Sequence, residues 1–292
     1  MIEELKKYKD KSSIVLLPKD NFDIYDSINY TLKNVIKIDS PNEDNCIIEM
    51  INDSKINKIY FVGYNDIYRY IMPRIKNDIE VCWIYPYSFS NLSNAGVRYN
   101  IQTIFEYYDR NLIESIGCFS TDNKEVFENA GYKTEFIDLK IEKELNITVN
   151  KSNSIGILSD DFDPNNNFYN QLAALTFINY DICKITYIMR ATKEFIKFFD
   201  LKCKKESTKE DVMKDNFVNL YINFTNTNNE LIQKSFNLGI PCIVGNTSFF
   251  DNNSYLKEHL VVKSDDDINE IAEKIEFVRK NAKKILEEYK KI

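Results

Sequence analysis

The stretch 218–248 constrains the fold more than any other part of the chain. It begins with an apolar, β-branched run at 218–224 and continues through a polar corner, 225–229, into a segment with helical spacing. Gly239 is expected to end that helix, because glycine adopts the left-handed conformation that closes a helix at little cost. A second apolar run follows directly at 241–244. Strand, helix and strand in so few residues predict a βαβ unit and therefore a parallel sheet.

The rest of the chain alternates apolar runs with amphipathic segments. Predicted strands lie at 14–17, 35–38, 59–62, 81–85, 115–119, 136–139, 154–158, 182–188, 218–224, 241–244 and 260–263. Strands that alternate with helices at this pace predict βαβ units and doubly wound sheets. A polar, weakly periodic stretch at 141–153 is interpreted as a linker, which gives domains at 1–145 and 146–292. The last segment, from 265 to the end, carries one apolar stripe and predicts a long C-terminal helix.

Length and charge limit the classes of function. The chain has 292 residues, which suggests two domains at about 150 residues each. A formal net charge of −7 argues against a nucleic-acid-binding surface. No apolar run reaches the ~18 residues that a membrane span requires, and no signal-like segment precedes the first strand. We therefore expect a cytoplasmic protein without a transmembrane segment.

Cysteine and histidine usage argues against hydrolase and metal chemistry. The six cysteines lie far apart and mostly inside apolar runs, which favours buried, reduced thiols over disulfides or a zinc site. The only histidine, His259, is placed at a predicted helix-to-strand junction and cannot form a His-rich metal site. The acidic stretch 159–163 is interpreted as a loop or helix start rather than a metal cluster. No metal or cofactor is expected.

Three motifs carry a resemblance to a known family. Residues 235–246, SFNLGIPCIVGN, resemble the C-terminal-domain signature of the retaining GT-B glycosyltransferases. Residues 155–159, IGILS, followed by 167–174, NFYNQLAA, are similar to the first strand and helix of the donor domain in that family. Residues 83–88, WIYPYS, look like the end of a central strand of the N-terminal domain. The resemblance implies an α/β fold of two Rossmann-like domains, the GT-B architecture, with a C-terminal helix that crosses back to the first domain.

The resemblance also implies where a donor would bind. The nucleotide-sugar is expected in the cleft between an N-terminal acceptor-side domain and a C-terminal donor domain. In this family an arginine and a lysine stabilise the leaving phosphates, and two glutamates hold the nucleoside ribose and the sugar. Alignment on 239–241 places the glutamate positions at Asn226 and Lys234, and the usual lysine at Asn166, so three expected charges are replaced. The predicted site is therefore assembled from matching and substitute residues: catalytic Arg190, Lys193 and Lys234; donor-binding Asn167, Gln171, Thr225, Asn226, Glu230 and Ser235; and, on the acceptor side, Ser88, Asn91 and Arg98.

The expected activity is transfer of a sugar, of hexosyltransferase type, from a nucleoside-diphosphate donor, with a UDP-sugar favoured. The acceptor stays open between a protein, a glycan and a lipid-linked molecule, and so does the stereochemical outcome. The replaced charges leave two alternatives. The chain is either a degenerate subunit that stabilises a partner glycosyltransferase, or a two-domain binding protein for a small ligand.

Overall fold

In a computed structural model the chain forms two compact units, Met1–Glu142 and Lys143–Ile292. The structure describes residues 7–18, 25–38, 44–139, 150, 152–161, 164–186, 188–224, 229–245, 247 and 249–292, so most of the predicted linker lies outside it. Each unit contains one sheet whose strand pairs are all parallel, with helices between consecutive strands. The predicted α/β class is therefore confirmed.

The first unit contains a six-stranded sheet in the order β2-β1-β3-β4-β5-β6. Its strands are β1 (Ser13–Pro18), β2 (Val35–Ile38), β3 (Lys58–Val62), β4 (Glu80–Tyr85), β5 (Ser115–Cys118) and β6 (Thr134–Phe136). Its helices are α1 (Tyr25–Thr31), α2 (Asp44–Asn52), α3 (Tyr68–Ile71), α4 (Ala95–Asp109) and α5 (Thr121–Asn129). The strand order reverses between β1 and β3, and the buried Tyr68 hydroxyl joins those strands by donating to the carbonyls of Leu16 at 2.9 Å and Val62 at 3.1 Å.

The second unit contains a five-stranded sheet in the order β11-β10-β7-β8-β9. Its strands are β7 (Ile155–Ile157), β8 (Cys183–Ile185), β9 (Cys203–Lys205), β10 (Val218–Tyr221) and β11 (Cys242–Val244). Its helices are α6 (Phe168–Ala174), α7 (Arg190–Phe198), α8 (Lys209–Met213), α9 (Asn229–Asn237), α10 (Ser254–Leu260) and α11 (Ile268–Tyr289). The chain builds the sheet outward from β7 to β9 and then crosses to β10. The strand order therefore reverses between β7 and β10.

The βαβ unit predicted at 218–244 is present as β10, α9 and β11. Gly239 has φ +75° and ends α9, as its position predicts. Ser235 ties this corner together: its hydroxyl donates to the Ile240 carbonyl at 2.8 Å and accepts from Asn219 of β10 at 2.8 Å. The Asn219 amide oxygen also accepts from the Asn216 amide at 2.8 Å, so a buried polar network lies beneath the sheet.

Gly156 of β7 faces the same buried network. A Cβ atom there would collide with the Asn219 amide oxygen and lie 2.6 Å from Asn216 Nδ2 and 2.7 Å from the Val212 carbonyl oxygen. The glycine of the IGI strand is therefore required by close packing against polar side chains. No unusual backbone conformation is involved.

The secondary structure differs from the prediction in several details. Strand β9 and helix α8 were not predicted, because β9 reads CKK and offers no apolar run. The predicted strand 260–263 does not form: Leu260 is the last residue of α10, and only Val261 makes a bridge, to Val244. Helix α5 begins at Thr121 and is capped by Ser120, whose hydroxyl accepts from the Asn123 N–H.

The long C-terminal helix is confirmed as α11. Asp267 caps its start by accepting from the N–H groups of Asn269 and Glu270. Its buried stripe belongs to the core of the second unit, where Tyr289 stacks on Phe236 at 3.9 Å between ring centroids. The predicted return of this helix to the first unit stays a prediction. Among the described residues, no helix is long and apolar enough to cross a bilayer.

Candidate functional site

The candidate site lies at the carboxyl end of the second sheet, where β7 and β10 diverge. In open α/β sheets ligands bind outside the carboxyl ends of the strands at the point where the strand order reverses. Ser159 follows β7 and Asn223 follows β10, and the Ser159 hydroxyl donates to the Asn223 amide oxygen at 2.7 Å. Both residues are buried. The two strand ends are therefore joined by a polar contact beneath the surface at which a ligand would bind.

Gln171 of α6 holds this point together. Its Nε2 lies 3.0 Å from the Ser159 hydroxyl and 3.1 Å from the Ile222 carbonyl, and also approaches the carbonyls of Asn166 and Asn167 at 3.1 and 3.2 Å. Its Oε1 accepts from the Ile222 N–H at 3.3 Å. The side chain is fully buried, so its amide is engaged with the strand ends and the loop before α6. In this conformation it positions the site and offers no surface to a ligand.

Asn167 links α6 to the loop that precedes α11. Its backbone is left-handed, with φ +51°, a conformation that asparagine tolerates better than most residues. Its amide nitrogen donates to the Asp265 carbonyl, and its amide oxygen accepts from Asn170 at 2.7 Å. Gly245, just after β11, is equally confined, because a Cβ atom there would lie 2.7 Å from the Asn223 carbonyl oxygen and 2.9 Å from Asp265 Oδ1. The loop before α6, the loop before α11 and the residues that follow β10 and β11 therefore meet closely behind the strand ends.

The described part of the acidic stretch, 159–161, is a loop after β7, and Asp161 reaches from it to the start of a different helix. The Asp161 carboxylate accepts from the Met189 N–H at 2.5 Å and from the Thr192 hydroxyl at 2.6 Å, at the beginning of α7. Asp160 instead pairs with Lys209 at 3.1 Å. Asp163 lies outside the described residues. Within the described part of the chain, no three His, Cys, Asp or Glu side chains are grouped to hold a metal ion.

Arg190 and Lys193, two predicted catalytic residues, lie on the first turn of α7. Both are exposed, and the Arg190 side chain is 93% exposed while its Nε lies 3.1 Å from Glu194. The turn follows β8 at the carboxyl edge of the sheet, the same edge as Ser159 and Asn223. Asp161 connects this turn directly to the end of β7.

Lys234 and Glu230 are brought together by one turn of α9. Lys234 Nζ lies 2.6 Å from Glu230 Oε1, and the Glu230 side chain is fully buried while that of Lys234 is partly exposed. A phosphate that approached Lys234 would therefore compete with a buried carboxylate. Ser235, the next residue, is also fully buried and turned toward Asn219 and Ile240.

The remaining predicted residues are distributed as follows. Thr225 and Asn226 lie outside the described residues. Ser88 and Asn91 lie in the connection between β4 and α4 in the first unit, and Arg98 lies on the first turn of α4. There the Ser88 N–H donates to the Asn91 side chain at 3.2 Å, and Arg98 donates to the Leu92 carbonyl at 2.7 Å. These three are thus brought together within their own unit.

Neither histidine nor cysteine offers a nucleophile or base near the strand ends. His259 lies in the last turn of α10 with its ring stacked on Phe277 at 3.9 Å, and burial lowers its pKa. All six cysteines are free thiols, and four are buried, as their apolar surroundings predict. Burial raises the pKa of Cys82 and Cys118 to about 12 and also raises that of Cys242, which is fully buried.

Sequence reasoning missed Ser159, Asn223 and Asp161 as members of the site. Ser159 directly follows the predicted strand 154–158, and because parallel strands end at the same edge its position could have identified it. Asn223 lies inside the predicted run 218–224 and Asp161 lies two residues beyond Ser159, so position alone does not identify these two. Their partners, Gln171 and Thr192, come from the following helices and could not be read from spacing.

No protein-family model matches the sequence, and no curated protein matches it. Several solved structures are similar to the chain in fold. A glycosyltransferase from Rickettsia africae ESF-5 has a TM-score of 0.61 at 11% identity, over 96% of this chain and 92% of that one. An α-glucosyltransferase in complex with UDP-glucose and DNA containing an abasic site has a TM-score of 0.59 at 11% identity, over 94% and 93%. Sucrose-phosphate synthase from Thermosynechococcus elongatus has a TM-score of 0.58 at 10% identity, over 85% and 74%.

These neighbours agree with the resemblance carried by the three sequence motifs. At such low identity the likeness concerns the fold and not the activity. The chain has the fold of the GT-B glycosyltransferases.

Proposed function

We propose that the protein is a glycosyltransferase that takes a sugar from a nucleoside-diphosphate donor, with a UDP-sugar favoured. The observation that supports this most is the fold shared over 94% of the chain with an α-glucosyltransferase whose structure contains UDP-glucose. The polar junction at the carboxyl ends of β7 and β10 provides a site of the kind such a donor requires. A hexose is the expected sugar, and a cytoplasmic location the expected one.

In this proposal the donor lies above the junction of β7 and β10. Asn167 and Gln171 position the strand ends and the loop before α6, and neither needs to touch the sugar. Ser235 supports the corner after α9 in the same indirect way. Direct contacts with the nucleoside would come from the polar corner at Thr225 and Asn226, which follows β10 in sequence.

Arg190 and Lys193 are the proposed cationic residues. When the bond between sugar and diphosphate breaks, negative charge develops on the leaving phosphate oxygens and must be stabilised. Both side chains lie on the sheet edge at which the donor is proposed to bind. They are exposed, and a charge in high dielectric contributes little, so the bound donor itself must exclude water from them. Lys234 would contribute only by leaving Glu230.

Calorimetric titration with UDP and GDP tests the donor site. We expect micromolar binding of UDP by the full chain, and at least tenfold weaker binding by Arg190→Ala/Lys193→Ala, because two phosphate-facing charges are lost. The matched control is Lys280→Ala/Lys283→Ala, which removes the same charge from exposed positions on α11. No heat with either nucleotide, or equal weakening by both double variants, would contradict the proposal.

The ion pair between Lys234 and Glu230 favours a second candidate function. Lys234 is paired with a carboxylate of its own helix and is therefore not available to a phosphate. This arrangement fits a chain that keeps the fold of a glycosyltransferase but supplies no charge for sugar transfer. Such a chain would bind and stabilise a partner glycosyltransferase. Release of UDP from UDP-glucose by the purified chain alone separates the two, because a degenerate subunit would release none.

In the proposed transferase the acceptor side would involve Ser88, Asn91 and Arg98, and the acceptor would be a protein, a glycan or a lipid-linked molecule.

A further inference from the structure

The end of α7 carries an exposed aromatic pair beside lysines. Phe198 is 82% exposed and Phe199 is 45% exposed, and they are adjacent at the last turn of the helix. Lys197 precedes them and Lys202 follows the turn, and both are exposed. We call Lys197, Phe198, Phe199 and Lys202 the Phe198 surface. Exposed apolar residues scattered singly are ordinary, whereas two adjacent phenylalanines in this state call for an explanation.

The Phe198 surface is held in place by packing. Phe198 contacts Phe199 at 5.0 Å between ring centroids, Phe199 contacts Phe195 at 4.7 Å, and Phe195 contacts Tyr169 of α6 at 5.5 Å. After the helix, Asp200 adopts a left-handed conformation with φ +51°, and the Leu201 N–H donates to the Ile196 carbonyl at 2.9 Å. Tyr169 in turn contacts the buried Phe168 at 5.8 Å, so the two exposed rings end an aromatic row that reaches the core of the unit.

The charge around these rings contrasts with the rest of the protein. The chain has a net charge of −7, yet residues 197–205 contain four lysines and a single acidic residue, Asp200. Two of the lysines, Lys204 and Lys205, lie on β9, an edge strand of the sheet, where charge also prevents pairing with other chains. That protective role explains the strand lysines but neither the phenylalanines nor Lys197 and Lys202.

We propose that the Phe198 surface binds an anionic lipid membrane surface. Phenylalanine side chains that project from a helix end can enter the boundary between headgroups and acyl chains, while flanking lysines meet lipid phosphates and carboxylates. A protein partner fits less well, because lysine is depleted in protein–protein interfaces. The negatively charged chain as a whole is repelled by such a membrane, so this local basic surface also determines which side faces it.

Co-sedimentation of the full chain with lipid vesicles tests this proposal. We expect binding to phosphatidylcholine vesicles that contain phosphatidylserine, weakening as salt is added, and much weaker binding to vesicles of phosphatidylcholine alone. Lys197→Ala/Lys202→Ala should bind about 25-fold more weakly, at about fivefold per lysine. Phe198→Ser/Phe199→Ser should lose at least roughly tenfold, since it removes the inserted apolar area.

Two controls use changes at other exposed positions. Lys280→Ala/Lys283→Ala on α11 has the same net charge as the lysine variant, and Tyr70→Ser in the first unit removes an aromatic ring that is 58% exposed. Both should bind vesicles as the unaltered chain does. Absence of binding by the unaltered chain, or equal binding by all variants, overturns the proposal. A dimer that Phe198→Ser/Phe199→Ser abolishes, without vesicle binding, assigns the surface to self-association instead.

Discussion

Replacement of Gln171 tests whether the junction of β7 and β10 depends on one buried amide. Gln171→Met keeps the length and approximate volume of the side chain and removes every hydrogen bond that it makes. Gln171 Nε2 carries two protons and lies near four oxygens, so at most two strong hydrogen bonds are lost at this nitrogen. The third lost hydrogen bond is the one that the Ile222 N–H donates to Oε1.

The expected loss follows from these three bonds. A net hydrogen bond contributes about 1 kcal/mol, and burial leaves the abandoned groups without water. Gln171→Met should therefore lower the free energy of unfolding by about 3 kcal/mol. Gln171→Glu should lower it further at neutral pH, because a buried carboxylate would face the carbonyl oxygens of Asn166, Asn167 and Ile222.

Urea denaturation followed by circular dichroism measures both changes. The control is Gln102→Met, at an exposed position of α4, which should stay within about 0.5 kcal/mol of the unaltered chain. A loss below about 1 kcal/mol for Gln171→Met would refute the reasoning. So would a Gln171→Glu variant more stable than Gln171→Met at pH 7, since a buried carboxylate among carbonyl oxygens cannot be the better replacement.

Two further predictions concern packing and protonation. Gly156→Ala should lower the free energy of unfolding by about 2 kcal/mol or more in urea denaturation, because the new methyl group meets the Asn219 amide and the fixed Val212 carbonyl. The control is Gly96→Ala, whose new methyl group meets only a side-chain oxygen at 3.3 Å and which should therefore lose less stability. Equal losses for the two variants would contradict the packing argument. Burial lowers the pKa of His259, so the unfolded chain binds its proton more readily, and stability should fall as pH drops through about 6.5 toward the lower folded value. NMR titration of the only histidine checks this, and a midpoint at or above the ordinary value would disprove it.

The sequence is most informative where a single residue determines the local backbone. Gly239 closes α9 as expected, and the strand predicted at 241–244 forms as β11, one residue shorter, because a left-handed helix end and an apolar run each depend on local chemistry. Apolar runs identify the buried strands β1, β3, β4 and β10 for the same reason. Strand β9 could not be predicted in this way, because a strand at the edge of a sheet does not need an apolar run.

The candidate site is less readable from sequence because its members are paired across long separations. Gln171 looks like a ligand contact in its motif, yet its hydrogen bonds run to Ile222, 51 residues away. Lys234 looks like a substitute for a catalytic charge, and only its neighbour one turn earlier, Glu230, reveals that it is already paired. Spacing predicts which residues lie on one helix face but not which backbone groups they will meet.

The order of strands in the second sheet determines how its folding can proceed during synthesis. Strand β7 is central, but its neighbour β10 begins 63 residues later, after β8 and β9 have been made. At typical synthesis rates of 5–20 residues per second, one side of β7 is without its partner for roughly 3–13 s. During that interval the nascent unit must protect an unpaired apolar strand. Because β7 is only three residues long and is followed by Asp160 and Asp161, it offers little template for aggregation while it waits.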